Sequence, residues 1–193
     1  MRNLLPALVA AFLVAAPAAV SAQQLSPAVI VLVDLDRVVN ESAAGKAAAT
    51  ELQARANALN TRRNTLATQL QADVQAIQQG QQNNTLVGAQ LEQRLKAFQE
   101  KEEAANQELA RGQEELGRAQ NYVVQQINNA AQPIITQIMR ERGAQIALNE
   151  RATLQHSNAL NVTNDVIARL NSALPKVSTT PPPPQQQPQQ PRP

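Results

Sequence analysis

The sequence runs to 193 residues with no cysteine, no tryptophan, one tyrosine and two phenylalanines. Disulfides, thiolate nucleophiles and thiolate metal sites are excluded, and there is no aromatic platform on which bases could stack. Seventeen lysines and arginines against 15 aspartates and glutamates leave a formal charge of +2, too small an excess for a dedicated nucleic-acid surface, so nucleic acid is not an expected partner.

Residues 1–22 combine a charged start at Arg2, an apolar stretch from Leu4 to Val20 and small residues at Val20, Ser21 and Ala22. This is the pattern of a secretory signal cleaved near Ala22. No second apolar run of about 18 residues follows, so the mature chain is expected to be exported and soluble.

Residues 23–42 hold the first part of a small body. Val29 to Val33 is short, β-branched and continuously apolar, as in a strand covered on both faces. Asp34 and Asp36 behind it read as helix-starting side chains rather than as a catalytic carboxylate pair. In NESAAGKAA, Ser42 can cap a long helix carrying Leu52, Leu59, Leu66 and Leu70, then Val74 and Ile77 after a slip in register.

Between Val74 and Leu91 there is no charged residue, and Gly80, Asn83, Asn84 and Gly88 favour a reversal within residues 78–90. On the return to Arg142, a 4,3 spacing runs through Leu91, Leu95, Phe98, Glu102, Ala105, Leu109, Gly112, Leu116, Ala119, Val123, Gln126 and Ala130. So narrow a stripe buries one seam against one neighbouring helix and cannot build a globular core. Residues 43–142 are therefore expected to form an antiparallel coiled-coil arm, its seam made by Leu52, Leu59, Leu66, Leu70, Leu91, Leu95, Phe98, Leu109, Leu116 and Val123. Glu102 and Gln126 should loosen that seam, and Pro133 should kink the returning helix locally without ending it. Lys46 to Asp73 carries an excess of positive charge and Glu92 to Arg118 an excess of negative charge, which suits the pairing.

Residues 143–176 complete the body. Gly143 supplies a helix stop. Ile146 and Leu148 alternate, Asn149 to Arg151 reads as a turn, and Ala152 to Leu154 resumes, which predicts a β-hairpin. A helix follows, with Thr163 as its cap, Asp165 in its first turn, Val166, Ile167 and Leu170 on one face, and Pro175 at its end. Residues 177–193, rich in proline and glutamine, should be an extended, disordered tail.

The fold class is thus mainly α with a small β body, the long helical hairpin being inserted between an N-terminal strand and a C-terminal β-hairpin plus helix. A body of about 50 to 60 residues without disulfides or metal is near the lower limit for folding alone. Self-association is expected through Val29, Val31, Val33, Ile146, Leu148, Leu154, Val166, Ile167 and Leu170. His156, the single histidine, has no nucleophile motif around it, and no GxxxxGK[ST] phosphate cradle occurs. No catalytic, metal or cofactor-binding residue is assigned, and enzymatic activity is not expected.

VIVLVDLDRVVNESAAGKAA at residues 29–48, the Gln- and Glu-rich helical hairpin, IALNERATLQ at 146–155 and NVTNDVIARLN at 161–171 together resemble the Skp/OmpH family of periplasmic chaperones. The resemblance covers nearly all of the mature chain. It implies a homotrimer whose bodies share a β core, with three arms projecting like tentacles around a cavity that holds unfolded outer-membrane β-barrel proteins in transit. It also implies peripheral contact with membrane lipid. The uncharged tip and the Pro/Gln-rich tail depart from the family's usual pattern. A structural coiled-coil spacer of the envelope is the alternative function. The physics of holding such a client is general: a precursor with exposed apolar residues and unpaired strand edges is shielded by many weak contacts over a large area.

Overall fold

The computed structural model describes residues 27–183. The signal sequence expected at residues 1–22 and the last ten residues of the expected tail lie outside that range.

Strand β1 (Ile30–Val33) runs through the interior with Val31, Leu32 and Val33 buried, as its unbroken apolar run requires. Asp34 ends the strand and starts helix α1 (Leu35–Glu41), its Oδ1 accepting from the N–H groups of Asp36 and Arg37 at 3.0 Å each. Ser42 is extended, at φ −64° and ψ 153°, and so separates α1 from α2 (Ala43–Gln82). Its Oγ caps the second helix by accepting from Gly45 N–H at 3.1 Å. At Gly45 the first turn of α2 passes so close to α1 that a Cβ would stand 1.6 Å from the Val39 carbonyl oxygen.

The 40 residues of α2 span about 60 Å at the usual rise of 1.5 Å per residue. The chain reverses over residues 83–88. Asn84 and Gly88 both take φ of 55°, the Gly80 carbonyl accepts from the N–H groups of Thr85 and Leu86 at 2.9 and 3.0 Å, and the Leu86 side chain covers Gly80. Helix α3 (Ala89–Arg142) then returns over 54 residues and runs unbroken through Pro133. The missing proline N–H deprives only the Asn129 carbonyl, on an exposed residue that water can serve.

Gly143 closes α3 in the left-handed conformation at φ 63°, and Ala144 N–H reaches back to the Met139 carbonyl at 2.8 Å. The chain enters β2 (Ile146–Asn149), which pairs with β1 in parallel, with Ile30 opposite Ile146 and Val33 opposite Asn149. This corrects the expected β-hairpin. Asn149 does begin a turn, but its Oδ1 accepts from Arg151 N–H at 3.0 Å and starts a 3₁₀ turn at Glu150–Ala152 that carries the chain away from β2. Ala152 to Leu154 forms no strand, and Leu154 is fully exposed. On the other side of β1, Leu32 bridges to Asn161 and its carbonyl accepts from Val162 N–H at 2.9 Å.

Helix α4 (Thr163–Ala173) packs on α1 and α3. Thr163 is not its cap. Asn161 Oδ1 accepts from Thr163 N–H at 2.9 Å, while Thr163 Oγ1 is turned inward and accepts from Asp34 N–H at 2.9 Å. The core gathers Val31, Val33, Val38, Ala44, Ala48, Val123, Ile127, Ala131, Ile138, Val162, Val166 and Leu170, so the root of the arm and the body share one apolar cluster. Beyond it, Ser178–Pro183, expected to be a free extension, lies along α2 and α3 and is tied there by hydrogen bonds to Glu51, Arg55, Arg118 and Gln126.

Candidate functional site

The arm is built from small contacts. Leu66 and Val123 are buried, and Leu52, Leu59, Leu70, Leu91, Phe98, Leu109 and Leu116 are half-buried. Leu95, toward the tip, is 42% exposed. Between these leucines the helices meet on small residues: Ala105 and Ala119 are buried, and the Leu59 side chain packs over Gly112, where a Cβ would come within 2.6 Å of Leu59 Cδ1. Glu102 points to solvent.

Charged rungs cross between the helices. Arg62 donates to Glu108 at 2.6 and 2.9 Å, and Asp73 accepts from Lys101 at 2.7 Å and from Arg94 at 2.9 Å. The Lys101 ammonium holds the Asp73 carboxyl below the ordinary carboxylate range, and the Arg62 guanidinium does the same to Glu108. Pairs this exposed fix register more than they stabilise. Between the rungs lies an open groove of about 560 Å³. Leu66, Leu70, Ala72, Ala104 and Ala105 line it, with Arg62, Glu108, Asp73 and Lys101 around them. Ala72, Ala104 and Ala105 leave room that leucines would have filled. A second groove of about 550 Å³ continues along Leu59, Ala104, Gln107 and Gly112. Together they expose a strip of apolar floor between polar walls midway along the arm.

Toward the root the pattern departs from the regular 4,3 stripe. Ile127, Ala131 and Ile138 are buried, whereas Gln126 and Ala130, on the stripe, are only partly so. The buried series steps by four from Ala119 through Val123 and Ile127 to Ala131, and Ile127 to Ile138 spans eleven residues, a three-turn repeat. A drift from a seven- to an eleven-residue repeat was the available signal that α3 changes partner here, from α2 alone to the body.

The body presents a second candidate surface. Val31, Val33, Val166 and Leu170 are buried within the chain and Ile167 is half-buried, while Val29, Ile146, Leu148 and Leu154 are exposed. Ile146 and Leu148, at 42% and 39%, share one face of β2, whose outer edge has no strand beside it among the described residues. Next to that edge Glu150 gathers the loop: its Oε1 lies 2.9 Å from His156 Nε2 and its Oε2 accepts from Asn161 Nδ2 at 2.9 Å. Among the described residues no group of acidic and histidine side chains is arranged to hold a metal ion, and no helix is long and apolar enough to cross a membrane.

Comparison with known proteins places this chain beside others of related sequence and fold. A family model described as Outer membrane protein (OmpH-like) matches residues 29–170. Among solved structures, a candidate outer membrane chaperone (OmpH-like) from Caulobacter crescentus superposes with a TM-score of 0.72. The alignment covers 85% of this chain and 96% of that one at 19% identity, which speaks for the fold. No curated protein matches the chain.

Proposed function

The chain belongs to the OmpH-like outer membrane protein family, and on that premise we propose that it is a periplasmic, ATP-independent holdase for unfolded outer-membrane β-barrel proteins. The observation that carries this reading is the mid-arm strip, an apolar floor of alanine and leucine between charged walls, open along its length. Such a strip accepts apolar side chains without demanding a sequence, because nothing in it is shaped to one residue. Each contact is weak. Several arms around one client multiply them.

The test is aggregation of a urea-diluted outer-membrane barrel. Stoichiometric amounts of this protein are expected to suppress turbidity without ATP, and unchanged turbidity would sink the holdase reading in favour of an envelope spacer.

Several arms require several chains. We place the self-association surface on the edge of β2, where Ile146 and Leu148 are exposed beside a strand edge that invites pairing. Light scattering on the mature protein is expected to give three chains per particle, with a hydrodynamic radius too large for a compact globule. Replacing Leu148 by Lys should shift the mass toward that of one chain.

A further inference from the structure

The strap Ser178–Pro183 is bound in a way that reads backbone more than side chain. Gln126 pairs with Ser178 as a neighbouring strand would: its Oε1 accepts from Ser178 N–H at 3.1 Å and its Nε2 donates to Ser178 O at 2.8 Å. Arg55 Nη1 donates to Thr179 O at 3.0 Å, and Arg118 Nη2 to Pro182 O at 3.3 Å. Only the hydroxyls add side-chain contacts: Thr179 Oγ1, on a residue 3% exposed, donates to Glu51 and accepts from Arg55 at 2.8 Å, and Thr180 Oγ1 accepts from Arg55 at 3.3 Å.

The spacing matches an extended chain laid along a helix. Ser178 meets Gln126 and Pro182 meets Arg118, so four strap residues cover eight helix residues. At about 3.1 Å per extended residue and about 1.5 Å per helical one, both spans come to roughly 12 Å. The prolines that follow Thr180 bring no N–H that would need a partner, and they hold the segment extended before it binds.

We propose that the furrow formed by Glu51, Arg55, Arg118 and Gln126 is a binding site for extended polypeptide backbone, occupied here by the chain's own tail. An unfolded client must displace that tail to use the root of the arm. The tail thus acts as a tethered competitor that keeps the furrow from binding weakly held or folded proteins. This rests on the holdase reading for its consequence, but the furrow itself can be tested apart from it.

The test uses full-length protein and a double variant, Ser178→Pro with Thr179→Ala. The first change removes the N–H that Gln126 accepts from, and the second removes the buried hydroxyl; every furrow side chain stays. The probe is a fluorescent peptide of sequence Val177–Pro183, followed by anisotropy. It is expected to bind the double variant about tenfold more tightly than the natural chain, as when a segment tethered at roughly millimolar effective concentration competes with a weak peptide. Adding Gln126→Ala should abolish that gain. Equal binding to natural and double-variant protein, or none to either, overturns the furrow as a backbone site. With an unfolded barrel as ligand, the double variant should also suppress aggregation at lower concentration. Peptide binding that rises while suppression does not change overturns the competitor role. Failure of both proteins to suppress aggregation counts against the holdase reading, and the peptide result still decides the furrow.

Discussion

Replacing Gly45 by Ala is expected to destabilise the folded protein by about 3 kcal/mol, at the upper end of what overpacking costs. Alanine in a helix interior normally gains up to about 1 kcal/mol over glycine, so propensity alone has the opposite sign. Geometry decides. The added Cβ would stand 1.6 Å from the Val39 carbonyl oxygen and 2.8 Å from its carbon. Backbone on the other side of a tight corner cannot swing away like the end of a flexible side chain. To relieve the clash, α1 and α2 have to separate at Ser42, whose Oγ accepts from Gly45 N–H. The arm would then leave the body at a different angle. The control is Gly117→Ala, in α3, where no atom lies within 4 Å of the added carbon. Urea denaturation followed by circular dichroism should show a lowered midpoint for the first variant and an unchanged or raised one for the second.

Ile127→Ala is expected to cost about 3 to 4 kcal/mol, within the range for a large aliphatic side chain lost from a core that does not collapse. Ile127 is completely buried and shares its cluster with Val38, Val166 and Leu170, residues of α1 and α4. The cavity would therefore open where arm and body meet, and the two should loosen together. Leu95→Ala provides the contrast. Leu95 sits on the regular stripe, yet it is 42% exposed near the tip, and its loss should cost less than about 1 kcal/mol. Equal midpoints for the two variants would mean that the body is not the stability centre of the molecule.

What could be read from the residues was local. Asp34 and Ser42 act as caps because a cap depends on backbone two or three residues away, which the sequence displays directly. The reversal at residues 83–88 announces itself through Asn84 and Gly88, the residue types that tolerate positive φ. Strand pairing is a different kind of fact. Ile146 and Leu148 alternate as a hairpin strand would, but a partner 116 residues earlier outcompetes the neighbour a few residues later, since β1 offers an edge beside an assembled core. Thr163 looks like a cap and instead spends its hydroxyl on Asp34 N–H, 129 residues away.

The strap was illegible for a similar reason. Proline and glutamine bury little apolar area, so composition alone points to a solvated tail. Its anchors are polar side chains on two helices, Arg55 and Gln126, at positions where periodicity predicts only a solvent-facing arginine and a weak place in the seam. Ile127, next to it, takes the buried place between the helices, and the Gln126 amide pairs with the backbone of Ser178 instead. Among the candidate surfaces, Ala105 of the mid-arm groove was visible as a small residue on the stripe, but Ala72 and Ala104 lie off it, and the room the three leave open depends on what faces them.

The parallel union of β1 with β2 also dictates an order of events. An unstructured link of more than a hundred residues would have to be closed to bring Ile30 beside Ile146. Zipping the rods from their reversal downward replaces that closure with a series of short ones, and delivers both ends to the same spot. The first strand must therefore wait, unpaired, until the return helix is complete and Ile146 has arrived beside it. The rods can form while the body is still open, and the molecule closes only at the last step.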